Sequence, residues 1–169
     1  MPVSFCILVD NFLIFFGDYL FTPPTFERKM LFFKKKRDIA FFKACEKIRD
    51  TEQGLSVSDI ASKAIYTECC SLFLTEQEIA KIIRFIKTHG KKTEGSEAKK
   101  EMHEEIGKRY KKITDTHGKI TALSAARIIC QQKAPRFYIT ETRAICLYYR
   151  LLAPENRIEL SKELNNYIG

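Results

Sequence analysis

Two stretches of this chain run in parallel, and the parallel constrains the fold more than any other feature. Residues 118–152, GKITALSAARIICQQKAPRFYITETRAICLYYRLL, read as helix, short extended connector, helix. Residues 54–86, GLSVSDIASKAIYTECCSLFLTEQEIAKIIRFI, follow the same plan. Gly54 matches Gly118, and Ala61, Lys63 and Ile65 match Ala125, Arg127 and Ile129. After a one-residue slip, Leu72-Phe73-Leu74-Thr75-Glu76 matches Phe137-Tyr138-Ile139-Thr140-Glu141. A period of this length points to a duplicated supersecondary unit.

Apolar residues at helical spacing predict a helix over residues 34–51, closed by Gly54 at a position that suits positive φ. Ser56 is placed to cap a second helix over 57–67, with Asp59 at its third position. A short apolar connector follows. Thr75 and Glu78 then form a capping box for a third helix ending at His89-Gly90. Residues 91–100 are polar, contain Gly and Ser, and read as a linker with a helical start near Ser96.

The second half repeats the plan. A helix is expected over 101–116, then one capped by Thr121 and running to Gln132. The inner face of the latter is read as Leu123, Ala126 and Cys130, with Ile129 beside it. Pro135 disfavours a helical Ala134, and Thr140 caps a last long helix to Leu152. Pro154 suits the first turn of a terminal helix. In an extended connector Phe137 and Ile139 point one way, into the core, while Arg136 and Tyr138 point the other. The expected fold is all-α: two tandem three-helix, helix-turn-helix-like units, at 30–90 and 101–169, joined by the 91–100 linker, with a C-terminal helix ending the second.

Residues 1–29 stand apart. Residues 3–21 hold twelve Phe, Leu, Ile or Val side chains. These favour membrane insertion by about 5 kcal/mol, against a cost of about 3 kcal/mol for Asp10 near the middle. Asn11 and Asp18 add further cost, and no positive n-region or small-residue cleavage site marks a secretory signal. Two readings stand: a marginal anchor, or an extension ahead of a true start at Met30. Membrane contact is expected only under the first.

Charge narrows the function classes. The chain carries a formal +8, and residues 1–29 contribute two cations and three anions, which leaves +9 on the remainder. Such a balance attracts polyanions, nucleic acid or an anionic membrane surface. Six cysteines, Cys6, Cys45, Cys69, Cys70, Cys130 and Cys146, form no C-x-x-C pair, and Cys45, Cys130 and Cys146 sit among apolar neighbours. They read as buried thiols of a reducing cytoplasm. There is no Gly-rich phosphate loop, no H-E-x-x-H and no paired-carboxylate signature, and His89, His103 and His117 lack motif partners. A non-enzymatic protein without cofactor or metal is therefore expected.

The helix-turn-helix-like pattern directs the last helix of the second unit to a major groove. Thr142 and Arg143 become the base-reading candidates, with Arg127, Lys133 and Arg136 on phosphates and Tyr138 beside Arg136 for stacking. Glu76 and Glu78 open the matching helix of the first unit and repel phosphate. Each connector also exceeds the three- or four-residue turn of the motif. Double-stranded DNA is the first expected partner. A protein partner meeting exposed Tyr138, Tyr148 or Tyr149 is the alternative.

The run Ala134-Pro135-Arg136-Phe137-Tyr138-Ile139-Thr140, followed by Arg143-Ala144, resembles a phrase in small, basic, helical bacterial proteins, some associated with mobile elements. The likeness covers residues 100–152. It implies a bacterial cytoplasmic protein and brings no activity or functional residues with it.

Overall fold

A computed structural model describes residues 26–91 and 94–156, with side chains from Phe32 onward. The described residues are all-α. Six helices follow one another: α1 Phe26–Thr51, α2 Val57–Ala64, α3 Glu76–His89, α4 Glu97–His117, α5 Ala122–Cys130 and α6 Glu141–Leu152. A further turn of helix begins at Pro154. None of these helices is long and apolar enough to cross a membrane. The anchor and start-site readings concern residues 1–29, of which 1–25, with Cys6, lie outside the described residues, as do residues 157–169.

Local chemistry sets the helix ends. Ser56 Oγ accepts from the Asp59 amide, and the Asp59 carboxylate accepts from the Ser56 amide at 3.3 Å. Thr75 and Glu78 form the same reciprocal box, the Glu78 carboxylate taking the Thr75 amide at 2.7 Å. Thr121 caps α5 through the Ser124 amide. Gly54, Gly90 and Gly118 take positive φ at or after helix ends, where a side chain would be strained.

Several boundaries differ from expectation. α1 starts at Phe26 and runs through Met30, so the division drawn after residue 29 falls inside a helix. α4 begins at Glu97, with Ser96 at its N-cap position but making no side-chain cap bond, and this shortens the linker. α2 and α5 end earlier than their apolar periodicity suggested, because the chain must leave the helix to form the connectors.

Helix pairing is the main departure from tandem units. α1 packs on α2 and α4 on α5; α2 packs on α6 and α5 on α3; α1 meets α6 and α4 meets α3. The set maps onto itself when the two halves are exchanged. Each last helix therefore packs chiefly on the other half, and α5 and α6 do not form a self-contained helix-turn-helix. Between the halves the connectors cross at an antiparallel bridge. Cys69 donates to the Ala134 carbonyl at 2.9 Å, and Ala134 donates back at 2.8 Å. Both lie three residues ahead of the matched pair Leu72 and Phe137.

One core, drawn from both halves, closes around this bridge. Phe137 and Ile139 are buried, as the connector alternation predicted, and so is Leu72. The Phe137 ring meets Phe41 edge-on at 5.4 Å and stacks on Phe73 at 6.1 Å. Phe73 itself turns with φ 53, so the first connector is not uniformly extended. Four side chains depart from their expected placement. Tyr148 is fully buried, its hydroxyl donating to Glu46 of α1 at 2.9 Å, so it is not an exposed partner-binding ring. Leu123 is exposed, because α5 turns Ala125, Ala126 and Ile129 inward. Cys146 is exposed and Cys130 half-buried; of the three thiols expected in the core, only Cys45 is fully enclosed.

Candidate nucleic-acid interface

Arg136 and Tyr138 alternate outward from the core, as expected of the connector, but the fold covers both in part. Arg136 Nη1 donates to Glu101 of α4 at 2.6 Å, and its guanidinium lies 4.4 Å over the Tyr66 ring. Tyr138 is half-buried among Glu105, Arg109, Arg136 and Glu101. Burial first, then the Glu105 charge, pushes its phenol up to about 12. The reason is local: the connector lies along α4, so side chains that alternate away from the core meet a helix instead of water.

Arg109 anchors the same junction from α4. Its Nε donates to Glu105 at 2.7 Å and its Nη2 to the Lys133 carbonyl at 2.8 Å. Lys133, Arg136 and Tyr138 are thus gathered along one helix. Their charges are largely answered within the chain. Lys133 pairs with Glu68 at 3.0 Å, Arg136 with Glu101, and Arg127 on α5 with Glu76 at the start of α3 at 3.2 Å. Only the first and last of these pairs are well exposed, and such pairs are weak and screened by salt. Thr142 and Arg143 stand apart from the cluster, exposed on the first turn of α6. Arg143 makes no ion pair among the described residues.

Two clefts flank the connector bridge. The first, about 540 Å³, runs between α4 and the end of α5. Lys108, Arg109, Lys112, His117 and Lys133 line it, with Ile113 and Ile128 below and Glu105 as its one carboxylate. Glu105 is already held by Arg109. Lys108 and Lys112 are exposed, sit one helical turn apart, and make no ion pair among the described residues. The second, about 670 Å³, runs along α1 and is lined by Lys36, Lys43 and Lys47 above Ile39, Ala40, Ala44, Ile48, Cys69 and Phe137. Glu68 is its one carboxylate.

The clefts are built to one pattern. Lys43, Lys47, Ile48 and Thr51 on α1 recur as Lys108, Lys112, Ile113 and Thr116 on α4 at identical spacing. Beside the first lysine the residues diverge, Ala44 against Arg109. Lys108, Arg109, Lys112 and His117 escaped the sequence reading. The signal was present, since the two lysines fall at the i, i+4 spacing that puts them on one face. Which face of α4 meets α5 is set by the exchange of helices between halves, and periodicity does not reveal that.

Buried thiols offer no nucleophile at neutral pH. Burial pushes both Cys45 and Cys69 up to about 12, with Glu46 adding to the first and Cys70 to the second. No family model matches the chain, and no curated protein or solved structure matches it either.

Proposed function

We propose that this is a non-enzymatic DNA-binding or DNA-associated accessory protein whose phosphate contacts centre on the α4–α5 cleft. The observation that carries the reading is the cation set of that cleft. Lys108, Lys112 and Lys133 stand over it with His117, and its one carboxylate is engaged by Arg109. Cations in a concave site lower the energy of a phosphodiester there and release its counterions. The exposed Lys133–Glu68 pair is weak enough for Lys133 to exchange its partner for a phosphate. Thr142 and Arg143 form a second exposed place, at the start of α6, suited to base edges. The two halves are further read as copies of one segment that exchange their last helices, the second copy carrying the DNA contacts.

A protein-interaction module is the second reading. Tyr149, 56% exposed on α6, favours it as a single aromatic anchor.

Anisotropy of a short labelled duplex, followed from about 50 to 200 mM salt, tests the first reading. Binding should weaken steeply with salt. Lys108→Ala with Lys112→Ala should flatten the log–log slope by about 0.9 for each phosphate contact removed. Arg143→Ala should instead narrow the preference among duplex sequences and leave most of the slope. Absence of binding at the lowest salt, or a slope that ignores the lysine pair, overturns the proposal.

A further inference from the structure

Two alanines set the α1 groove apart from its counterpart. Three residues before its first lysine and one after, α4 carries Glu105 and Arg109, joined in an ion pair at 2.7 Å. The same two places beside Lys43 on α1 hold Ala40 and Ala44. The groove therefore has an apolar floor, formed by Ile39, Ala40, Ala44, Ile48 and Phe137. Lysines stand at its rim. Lys36 lies 4.3 Å over the Phe32 ring, whereas Lys43 and Lys47 are exposed, one helical turn apart, and make no ion pair among the described residues.

The polar groups that line the groove are already engaged. Glu68, its one carboxylate, pairs with Lys133 at 3.0 Å. The Thr51 and Thr67 hydroxyls donate to the Lys47 and Ala64 carbonyls. The buried Cys69 thiol donates to the Ser71 and Arg136 carbonyls, each at 3.4 Å. What the groove leaves unanswered is an apolar surface beneath two ammonium groups. Its complement is a monoanion with a hydrocarbon body. We propose that the α1 groove binds a free long-chain fatty carboxylate, the head group at Lys43 and Lys47 and the chain along the floor.

Size separates this ligand from larger occupants. The lining residues run from Lys36 to Thr51, about 22 Å along α1 at about 1.5 Å per residue. A docked helix of that length, about 10 Å across, fills about 1,800 Å³, against about 670 Å³ for the groove. A single methylene chain, about 4.5 Å across at carbon contact distances, needs about 350 Å³ over that length and leaves room for its carboxylate. Two chains fill the groove before their shared head group is placed, which disfavours a membrane phospholipid. The lysine stems can lie along the apolar wall while their ammonium groups stay in water until an anion arrives. The nucleic-acid reading concerns the other cleft and stands or falls separately.

Calorimetric titration of the full chain with sodium tetradecanoate, kept below its micellar concentration, is the test. One molecule should bind per chain. Dodecanoate, two methylenes shorter, should bind about tenfold more weakly. Lys43→Gln with Lys47→Gln should weaken tetradecanoate severalfold, whereas Lys108→Gln with Lys112→Gln, the matched pair of the α4–α5 cleft, should leave it unchanged. Two thiols report the position: Cys70 lines the groove and is exposed, and Cys146 is exposed on α6. Bound tetradecanoate should slow alkylation of Cys70 by iodoacetamide and leave the Cys146 rate as it was. Absence of saturable binding overturns the proposal, as does equal sensitivity to the two lysine pairs or equal protection of the two thiols. Adsorption to phosphatidylcholine–phosphatidylglycerol vesicles that depends on Lys43 and Lys47, without uptake of free tetradecanoate, overturns it in favour of a membrane surface.

Discussion

The two clefts share a backbone plan and differ in chemistry. Each is a helix face carrying Lys, Lys, Ile and Thr at one spacing, closed by a connector, and the two meet where Lys133 of one pairs with Glu68 of the other. Beside the first lysine, α4 places Arg109 and α1 places Ala44. The arginine ties its helix to the connector through the Lys133 carbonyl and turns the cleft polar. The alanine leaves a floor of Ile39, Ile48 and Phe137. The fold asks only for the shared residues, because the α1 half is built without an arginine there. What remains free to vary sets which ligand each cleft suits.

The largest expected effect lies in the connectors. Phe137 is 2% exposed and touches both Phe41 and Phe73, so Phe137→Ala should cost about 3–5 kcal/mol of unfolding free energy. Leu72→Ala, at the matched position, should fall lower within the range of about 2–5 kcal/mol for such truncations, since Leu72 offers no ring to either phenylalanine. Urea denaturation of both variants decides it. A costlier Leu72→Ala breaks the comparison, because the first connector would then hold the core that the second is argued to hold.

Alkaline titration sharpens the same contrast. Cys45 and Cys69 belong to the first half, and burial raises both thiols from 9.0 to about 12. Tyr138 belongs to the second half and rises from 10.0 to about 12, chiefly through burial. A raised pKa in the folded state means that the contribution is complete below the unfolded value and is lost as pH climbs through the folded one. Stability should therefore hold up to pH 9 and fall towards pH 12, the thiols acting from 9 and the phenol from 10. Cys45→Ala with Cys69→Ala should flatten the onset, and Tyr138→Phe the later part. Thermal melts across that range measure it; an onset unmoved by the double thiol variant counts against the assignment to the first half.

What could be read from sequence was local. The capping boxes at Ser56 and Thr75, the helix-ending glycines, the start of α6 at Thr140 and the inward alternation of Phe137 and Ile139 all depend on residues a few positions apart. What could not be read was partnership. Periodicity gives each helix an apolar face without naming the helix that covers it, and α6, which follows α5 in the chain, packs instead on α2 and α1. The site errors follow from that one step. Tyr148 is buried because α1 brings Glu46 to its hydroxyl. Arg136 and Tyr138 are half-covered because α4 lies along the connector, and Leu123 is exposed because α3 and α4 cover another face of α5. No neighbour in the sequence carried that information.

The smallest effect separates the two matched threonines that open the last helices. Thr75 is 3% exposed, accepts from the Glu78 amide at 3.2 Å, and its own amide donates to Glu78 at 2.7 Å. Thr140 is exposed and makes no side-chain cap bond. Loss of a bonded cap typically costs about 1 kcal/mol, so Thr75→Ala should show that much in urea denaturation. Thr140→Ala removes no bond to an orphan amide and should stay within about 0.5 kcal/mol, the range of ordinary surface changes. The contrast has a physical origin in the third position of each helix: Glu78 reaches back to its cap, whereas Arg143 has no acceptor to offer. Arg143→Glu should therefore create the missing box, and Thr140→Ala made in that background should cost more than it does alone. Equal costs in the two backgrounds would mean that the exposed first turn of α6 gains nothing from a cap, and that the Glu141 contact to Ser62 Oγ at 2.6 Å already holds it in place.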